Sequence, residues 1–284
     1  MGKVLGIDVG GTFTRFGVVH NKFVSSVEKL FTANIDDFVA FVDEQVKKDK
    51  EIKTISIGIP GIVKDNKIVS IPNISNIDID AVNTKLHELT RLDVVINRDV
   101  NLLFYNDLDR LNLKHEENVL GFYVGTGLGN AIKVNGVVLK GSHGFAGELG
   151  HIPLIGNKRL CNCGKTGCAE TLVSGMALVN LHKENNLSGE IKNIFVNHLN
   201  HEVIKDFIHN LALIISMEIN IFDTTKIVIG GGVANMPEFP KEKLRNLIKK
   251  ELRSKSLIPE LEIYFVDDLP INSIIGASLI VKEE

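Results

Sequence analysis

The sequence has no excess of charge, no long apolar run and no cysteine outside one short stretch. Its formal net charge of -3 over 284 residues gives no electrostatic case for binding nucleic acid or an anionic membrane. No run approaches the roughly 18 apolar residues that a membrane-spanning helix needs. A strand-like stretch begins by Val4, so no basic and apolar signal region precedes it. These absences predict a globular chain without a membrane span.

Strand and helix patterns follow the same order in both halves of the chain. Lys3–Val9 and Phe13–Val19 read as strands around a glycine-rich turn, a third strand is predicted near Lys22–Leu30, and strands then alternate with helices. The pattern restarts in the second half, with a strand at Val119–Val124 and a long helix at Glu202–Phe222. The predicted fold class is therefore α/β, with two domains of related design and a cleft between them.

The boundary between the two domains is predicted near residue 115. Residues 1–115 form the first domain, and a closing helix at 272–284 is expected to cross back to it. Residues 116–271 form the second domain, which contains the cysteines. No low-complexity segment or block of charge interrupts either part, so we expect no further domain.

The first glycine-rich stretch lies in the turn between the first two strands and reads Asp8-Val9-Gly10-Gly11-Thr12-Phe13-Thr14-Arg15. Its glycines let backbone N–H groups converge on an anion, and Thr12 adds a hydroxyl donor. Asp8 is placed to hold water around a Mg²⁺ ion bound to phosphate oxygens. A plain glycine hairpin turn is the alternative, and this stretch alone does not decide between the two.

Two further glycine-rich stretches favour a nucleotide site. Gly125-Thr126-Gly127-Leu128-Gly129 again lies between two strands, and Gly230-Gly231-Gly232 follows a third apolar strand, where an adenosine could lie on bare backbone. None of the stretches has the lysine-bearing spacing of a P-loop, and the second lacks the βαβ setting of a dinucleotide fingerprint. Two hairpin phosphate loops that face each other across a cleft are the arrangement used by actin and hexokinase.

Asp99 lies where a predicted strand ends and a helix begins, in the sequence Arg98-Asp99-Val100-Asn101. An acidic residue there is either a helix N-cap, for which aspartate is favoured, or a catalytic group. Its position between two phosphate loops in the sequence favours the second interpretation. We expect Asp99 to accept a hydroxyl proton during phosphoryl transfer.

All three cysteines lie in the stretch CNCGKTGC, at Cys161, Cys163 and Cys168. Ten residues earlier comes His151, which completes a set of four ligands typical of a tetrahedral zinc site. Free thiols and a purely structural histidine are the alternatives, but the glycines of the stretch allow the tight loop that wraps a metal. Because four protein ligands leave no position for substrate, we expect structural Zn²⁺. Glu148, three residues before His151, is expected to share a small cavity with it.

The motifs together resemble the ROK family of sugar kinases and repressors. The resemblance covers nearly the whole chain and rests on DVGGTFTR, the IPG and PN turns, RDVN, VGTGLG, HGFAGELGHIPL, CNCGKTGCAE and IVIGGGV. It implies ATP-dependent transfer to a sugar hydroxyl on an actin/hexokinase-like (ribonuclease H-like) fold, with Mg²⁺ and usually as a homodimer. Reduced cysteines in such a chain favour the cytoplasm.

The resemblance also assigns roles to individual residues. Asp99 resembles the catalytic base. The residues that resemble sugar ligands or line the pocket are Glu148, His151, Glu170, Gly61, Asn73 and Asn101. The nucleotide contacts correspond to the glycine stretches, with Asp8, Gly10, Gly11, Thr12, Thr14, Arg15, Thr126, Gly127, Gly129, Gly231 and Gly232. His151 would then serve both zinc and sugar, through its two ring nitrogens.

One position departs from the family pattern. The usual motif is Asn-Asp-x-Asn, and here Arg98 takes the place of the first asparagine. Arginine is longer, charged and only a donor, so it should change which hexose epimer fits, unless it points away and pairs with an acidic neighbour. D-Allose, glucose and N-acetylmannosamine remain open as substrates. The repressors of the family carry a helix-turn-helix before the first loop, for which Asp8 leaves no room, so we expect an enzyme.

Overall fold

The computed structural model describes residues 2–72 and 74–282, which form two compact units. Unit 1 takes its described residues from Met1–Lys114, Lys140–Phe145 and Leu269–Glu284, and unit 2 from His115–Leu139 and Ala146–Asp268. Asn73, which the family resemblance assigns to the sugar pocket, lies outside the described residues. Whether either unit folds as an independent domain stays a prediction.

The described part of the chain contains thirteen strands and nine α-helices. The strands are β1 (Lys3–Val9), β2 (Phe13–His20), β3 (Phe23–Val24), β4 (Glu28–Phe31), β5 (Ile52–Ile59), β6 (Ile62–Lys64), β7 (Lys67–Ser70), β8 (Asp93–Arg98), β9 (Val119–Val124), β10 (Leu128–Val134), β11 (Val137–Val138), β12 (Lys226–Gly230) and β13 (Glu262–Phe265). The helices are α1 (Phe38–Lys48), α2 (Ile79–Thr90), α3 (Asp99–Arg110), α4 (Glu170–Val173), α5 (Gly175–Glu184), α6 (Ile194–His198), α7 (Glu202–Phe222), α8 (Lys241–Glu251) and α9 (Pro270–Ile280).

Unit 1 is built on a sheet that has, among the described residues, six strands in the order β3-β2-β1-β5-β8, with β4 also paired to β2. Strands β1, β5 and β8 run parallel, whereas β2 runs antiparallel to β1. Strand β5 lies inside this sheet, and every residue from Ile55 to Ile59 is buried, so both of its faces are covered, as expected for such a parallel strand. The carboxyl ends of the three parallel strands therefore lie along one edge of this sheet.

The start of unit 1 differs from the sequence prediction in one place. The single strand expected near Lys22–Leu30 is two short strands, β3 and β4, which both pair with β2. The intervening Ser25-Ser26-Val27 has no strand structure. Serine-rich stretches hydrogen-bond their own backbone readily, and this competes with a continuous ladder.

Unit 2 is built on a sheet whose described strands have the order β11-β10-β9-β12-β13. Strands β9, β12 and β13 run parallel, and β10 returns antiparallel to β9. Helix α7 buries an apolar face that includes Phe207, Leu211, Ile215 and Ile219 in the core of this unit. Although α7 has 21 residues, neither it nor any other described helix is long and apolar enough to cross a bilayer.

Candidate active site

The carboxyl ends of three adjacent parallel strands bring several predicted site residues to one edge of the unit 1 sheet. Strand β1 leads into the first glycine stretch, β5 leads to Gly61, and β8 ends at Arg98, directly before Asp99. The strands are in register, since Asp8 pairs with Gly58 and Gly58 pairs with Asn97. Ligands of α/β sheets characteristically bind at this edge.

The first glycine stretch forms a tight turn that is held by a residue from outside it. The Gly10 N–H donates to Phe13 O at 2.9 Å and closes the turn. Thr32 donates its hydroxyl to Gly10 O at 2.7 Å and its N–H to Thr12 O at 3.0 Å. The hydroxyl groups of Thr14 and Thr32 also lie 3.0 Å apart. Thr32 therefore fixes the loop, a role that its position in the sequence does not reveal.

Asp8 and Arg15 lie opposite each other at the base of this turn. They are cross-strand neighbours on β1 and β2, and Arg15 Nη1 is 3.6 Å from Asp8 Oδ2. The side chain of Asp8 is 14% exposed, and Arg15 Nε is buried without a hydrogen-bond partner. The pair places one carboxylate and one guanidinium beside the glycine loop, where a phosphate group and its Mg²⁺ would need them.

Asp99 is the first residue of α3, and Arg98 occupies the N-cap position without a capping hydrogen bond from its side chain. The Asp99 carboxylate accepts a hydrogen bond of 2.7 Å from the Val100 N–H. The N-terminus of a helix favours negative charge, because its first N–H groups have no partner within the helix. Asp99 is half-buried, so it is held in one place and is still accessible.

A small polar cavity of unit 1 lies next to this helix start. Its volume is about 110 Å³, and Arg98, Asn101 and Lys140 are among the residues that line it. Asn97 Oδ1 accepts hydrogen bonds from the Arg98 N–H at 2.9 Å and from Asn101 Nδ2 at 2.7 Å. Asn97 therefore holds the backbone just before Asp99 and orients the side chain of Asn101, two residues after it. Nothing in the sequence pattern identified Asn97 or Lys140 as part of the site.

In unit 2, the second and third glycine stretches follow the adjacent parallel strands β9 and β12. The carbonyl groups of Gly125 and Thr126 accept hydrogen bonds from the first N–H groups of α5, at 2.7 and 3.1 Å. Gly231 has a φ of +88°, and a Cβ there would lie 2.6 Å from Val124 O. Only glycine combines this left-handed conformation with so close an approach to another backbone.

Glu148, His151 and Glu170 form one polar group in unit 2. His151 Nε2 lies 3.8 Å from Glu148 Oε2, and His151 Nδ1 lies 3.7 Å from Glu170 Oε1. All three side chains are partly exposed, between 20% and 34%. A Cβ on Gly127 would lie 2.7 Å from Glu170 Oε2, so the second glycine stretch contacts the same group.

The four predicted zinc ligands are gathered at one place in unit 2. The ligand atoms of His151, Cys161, Cys163 and Cys168 all lie within 4.8 Å of one another. Cys161 Sγ is 3.6 Å from His151 Nδ1, and Cys163 Sγ is 3.6 Å from Cys168 Sγ. Ligands of tetrahedral zinc at 2.0–2.3 Å lie about 3.5–3.8 Å apart, so these two contacts fit the ion.

The chemistry of the thiols also suits a cation. A backbone N–H of Lys165 donates to the Cys163 sulfur and lowers the pKa of this thiol. Burial raises the pKa of Cys161 and of Cys168. A bound cation reverses that effect, because it binds the thiolate and not the thiol. The ring of His151 directs Nδ1 to the cysteines and leaves Nε2 on the side of Glu148.

Comparison with known proteins identifies the family. Residues 4–284 match the sequence model of the ROK family, and the chain belongs to this family. A glucokinase from Halalkalibacterium halodurans is 30% identical over 268 residues, which cover 81% of this chain and 80% of that protein. An N-acetyl-D-glucosamine kinase from Pectobacterium carotovorum is 29% identical over 263 residues, with 82% and 84% covered.

Among solved structures, the chain is similar to a ROK family glucokinase from Streptomyces griseus in complex with glucose and AMPPNP. The TM-score is 0.79 at 23% identity, and all of both chains is covered. At this identity the likeness establishes the fold. The α/β fold of the actin and hexokinase type that was expected from the sequence is confirmed, and the structure adds that its two main sheets are mixed.

Proposed function

We propose that this protein is an ATP-dependent hexose kinase that transfers the γ-phosphoryl group to the 6-hydroxyl of its sugar. Membership of the ROK family and similarity to a glucokinase and an N-acetyl-D-glucosamine kinase support the activity. The observation that carries the proposal is the placement of Asp99 at the same edge of the unit 1 sheet as the first glycine loop. A base and a phosphate loop at the same edge of one sheet, here after β8 and β1 with β5 between them, are what phosphoryl transfer needs.

In this proposal Asp99 is the general base. It accepts the proton of the sugar hydroxyl as the oxygen attacks the γ-phosphorus, and the bond from phosphorus to the β,γ-bridging oxygen of ATP breaks. The N-terminus of α3 favours negative charge at the position of Asp99. Glu148, His151 and Glu170 bind the remaining hydroxyl groups, with Gly61, Asn73 and Asn101 completing the sugar site.

The glycine stretches supply the nucleotide contacts. Gly10, Gly11 and Thr12 of the first stretch, with Thr14 and Arg15, and Thr126, Gly127 and Gly129 of the second stretch hold the phosphates. Gly231 and Gly232 lie under the adenosine. Asp8 would hold the water ligands of a Mg²⁺ ion, which would neutralise phosphate charge when bound.

Zn²⁺ has a structural role in this proposal. His151, Cys161, Cys163 and Cys168 hold it, and four protein ligands leave no open position for substrate. When bound, it would supply rigidity, because it would fix the ring of His151 and the segment that ends at Glu170. His151 would hold zinc through Nδ1, and this would leave its Nε2, on the side of Glu148, to meet a sugar hydroxyl.

We propose D-allose as the sugar, with D-allose 6-phosphate as product. The RDVN form of the base motif, together with GELGHIPL, SGMAL and GGGVANMPEFP, resembles D-allose kinases. Allose is the C3 epimer of glucose, and Arg98 lines a polar cavity next to Asp99, where it would read a ring hydroxyl. Glucose and N-acetylmannosamine are the competing substrates. We also propose that the protein is a homodimer and that it acts in the cytoplasm. Sedimentation of the purified protein would test the dimer.

A coupled assay of ADP release with a panel of hexoses tests the function. We expect the largest kcat/KM with D-allose and formation of a 6-phosphate. A higher kcat/KM with glucose or N-acetylmannosamine would support the proposed kinase activity but overturn the assignment of D-allose as the substrate. Sugar binding without phosphoryl transfer to any hexose would instead indicate a sugar-sensing regulator.

A further inference from the structure

A buried acid–amide contact lies beneath the second glycine loop and has no part in the reaction proposed above. Glu218 on α7 is 5% exposed, and its Oε2 accepts a hydrogen bond of 2.8 Å from Asn130 Nδ2. Asn130 is fully buried and directly follows Gly129 on β10. The adjoining residues of the buried face of α7, such as Ile215 and Ile219, are apolar. An ionised carboxyl in such surroundings is costly.

The Asn130 amide joins three elements of unit 2. Its Nδ2 donates to Gly121 O on β9 at 3.2 Å as well as to Glu218 on α7. Strands β9 and β10 are joined by the Gly125–Gly129 loop, and Asn130 pairs with Phe122 in their ladder. The amide therefore connects α7 to both strands of this hairpin, close to the base of the loop.

One acceptor of this contact, the Asn130 amide oxygen, has no hydrogen-bond donor. Both donors of the Asn130 amide are used, whereas Asn130 Oδ1 is buried without a partner. A buried acceptor without a donor is destabilising, and a carboxyl group that keeps its proton supplies the donor. Burial raises the pKa of Glu218 to about 7, although the hydrogen bond from Asn130 lowers it. The protonated form is therefore populated in neutral solution.

Titratable groups near α7 do not account for the raised pKa of Glu218. The elements packed against α7 include α4, α5, α8 and β9, α6 contacts it through Phe195 and Phe207, and β10 joins it through Asn130. Their titratable side chains are Glu170, His182, Lys183, Glu184, His198, Lys241, Glu242, Lys243, Arg245, Lys249, Lys250, Glu251, Tyr123 and Lys133. Burial and the bond from Asn130 are the causes of the shifted pKa of Glu218, and none of these groups contributes to it.

We propose that Glu218 holds its proton in a two-bond pair with Asn130, and that this pair positions the Gly125–Gly129 loop for a nucleotide phosphate. The Glu218 O–H donates to Asn130 Oδ1, while Asn130 Nδ2 donates to the other carboxyl oxygen. When the proton is lost, the Glu218 carboxylate and the Asn130 amide oxygen repel each other. This repulsion separates the two side chains and loosens the base of the β9–β10 hairpin. The positioning role rests on the proposed function of the loop, whereas the pair itself does not.

Binding of AMPPNP with Mg²⁺, measured by calorimetry at about pH 6 and about pH 9, tests the positioning role. Glu218→Gln keeps a two-bond pair at both pH values, because its amide both donates and accepts. Glu218→Leu removes the pair. Ser216→Ala, at another buried polar position of α7, is the control for a general change in packing. Comparison with Glu218→Gln at each pH cancels the titration of the nucleotide itself.

We expect wild-type protein to match Glu218→Gln at low pH and to bind about three- to tenfold more weakly at high pH. Glu218→Leu should bind weakly at both pH values, and Ser216→Ala should follow the wild type. Equal affinity of wild type and Glu218→Gln at high pH would overturn the positioning role, even if Glu218→Leu does not fold.

Infrared difference spectra of wild type against Glu218→Gln test the pair without any assay of activity. A protonated carboxylic acid band that is present at low pH and lost at high pH supports the pair, and its absence at low pH overturns it. If the protein binds AMPPNP with the expected pH dependence but phosphorylates no hexose, the proposed function is wrong while both parts of this inference stand.

Discussion

Gly127 and Glu170 approach so closely that a methyl group on Gly127 would lie 2.7 Å from a carboxylate oxygen of Glu170. Gly127→Ala should displace this carboxylate, because the end of the glutamate side chain yields more easily than the backbone. If Glu170 binds a sugar hydroxyl, the Kd for sugar should rise about tenfold or more, as expected for a lost hydrogen bond to a charged group. Calorimetry with sugar alone measures this without interference from nucleotide binding.

Gly125→Ala is the matched control, since no atom lies within 4 Å of the Cβ it would add. It should leave the affinity for sugar unchanged. In a Glu170→Ala background, Gly127→Ala should have no further effect on sugar affinity, because its target has been removed. Additive effects of the two substitutions would show that the loop and Glu170 act independently.

Asp99→Asn should abolish most turnover while sugar and ATP still bind. The amide cannot accept the hydroxyl proton, so we expect kcat to fall by about 10²–10⁴-fold with little change in either KM. Asparagine retains an oxygen that accepts the Val100 N–H, so the start of α3 should be preserved. Asp93→Asn, at the exposed beginning of β8, the strand that leads to Asp99, is the control. Near-normal turnover of folded Asp99→Asn protein would refute the assignment of the base.

Strongly patterned segments could be located from the sequence. Strand β9 and helix α7 have the predicted bounds, because a continuous apolar run and a long apolar stripe leave few alternatives. Helix α5 was missed, although Ser174 accepts a hydrogen bond from the Ala177 N–H and is an ordinary N-cap signal. The helix is short, and its first residue is Gly175, which hides the pattern.

The supporting residues of the site could not be predicted in this way. Thr32 is 18 positions from Thr14, and Glu218 is 88 positions from Asn130. Such contacts depend on which strands are neighbours and on their register, which local spacing does not determine. The glycine stretches and the cysteine cluster were recognisable because the chemistry itself requires residues that lie close together in sequence.

Arg98→Asn should change which hexose is preferred. Arg98 lines the polar cavity next to Asp99, and asparagine is shorter and adds an acceptor. We expect the ratio of kcat/KM for D-allose to kcat/KM for glucose to fall at least about tenfold. Arg98→Lys keeps the charge but loses the planar fork of donors, and should give an intermediate ratio. An unchanged ratio in both variants would show that Arg98 does not read the sugar.

Cys163→Ser should lose zinc, thermal stability and sugar affinity together. Removing one ligand leaves three in a site that is otherwise a complete tetrahedral set. Asn162→Ser introduces the same hydroxyl one position earlier and should keep about one zinc per chain. Elemental analysis, thermal unfolding and sugar titration of both variants measure the three effects. Active wild-type protein without zinc would contradict the structural role of the metal.

Stability should fall as the pH rises through the titration of Glu218. Burial raises its folded-state pKa to about 7, above the pKa of 4.5 that is ordinary for a glutamate in the unfolded chain. The folded state therefore binds this proton more tightly. Its contribution to stability is complete below about pH 4.5 and is lost as the pH rises to about 7. The difference of about two and a half pKa units corresponds to about 3 kcal/mol in the free energy of unfolding.

Glu218→Gln should accordingly be more stable than the wild type at pH 8, by up to about 3 kcal/mol, and nearly equal to it at pH 5. Glu202→Gln makes the same substitution at an exposed site of the same helix, where a hydrogen bond from Lys205 lowers the pKa of Glu202. This control should show no gain at pH 8. Urea unfolding at both pH values measures the difference. An equal gain for Glu218→Gln at pH 5 and pH 8 would mean that amide packing, not the buried charge, determines its effect.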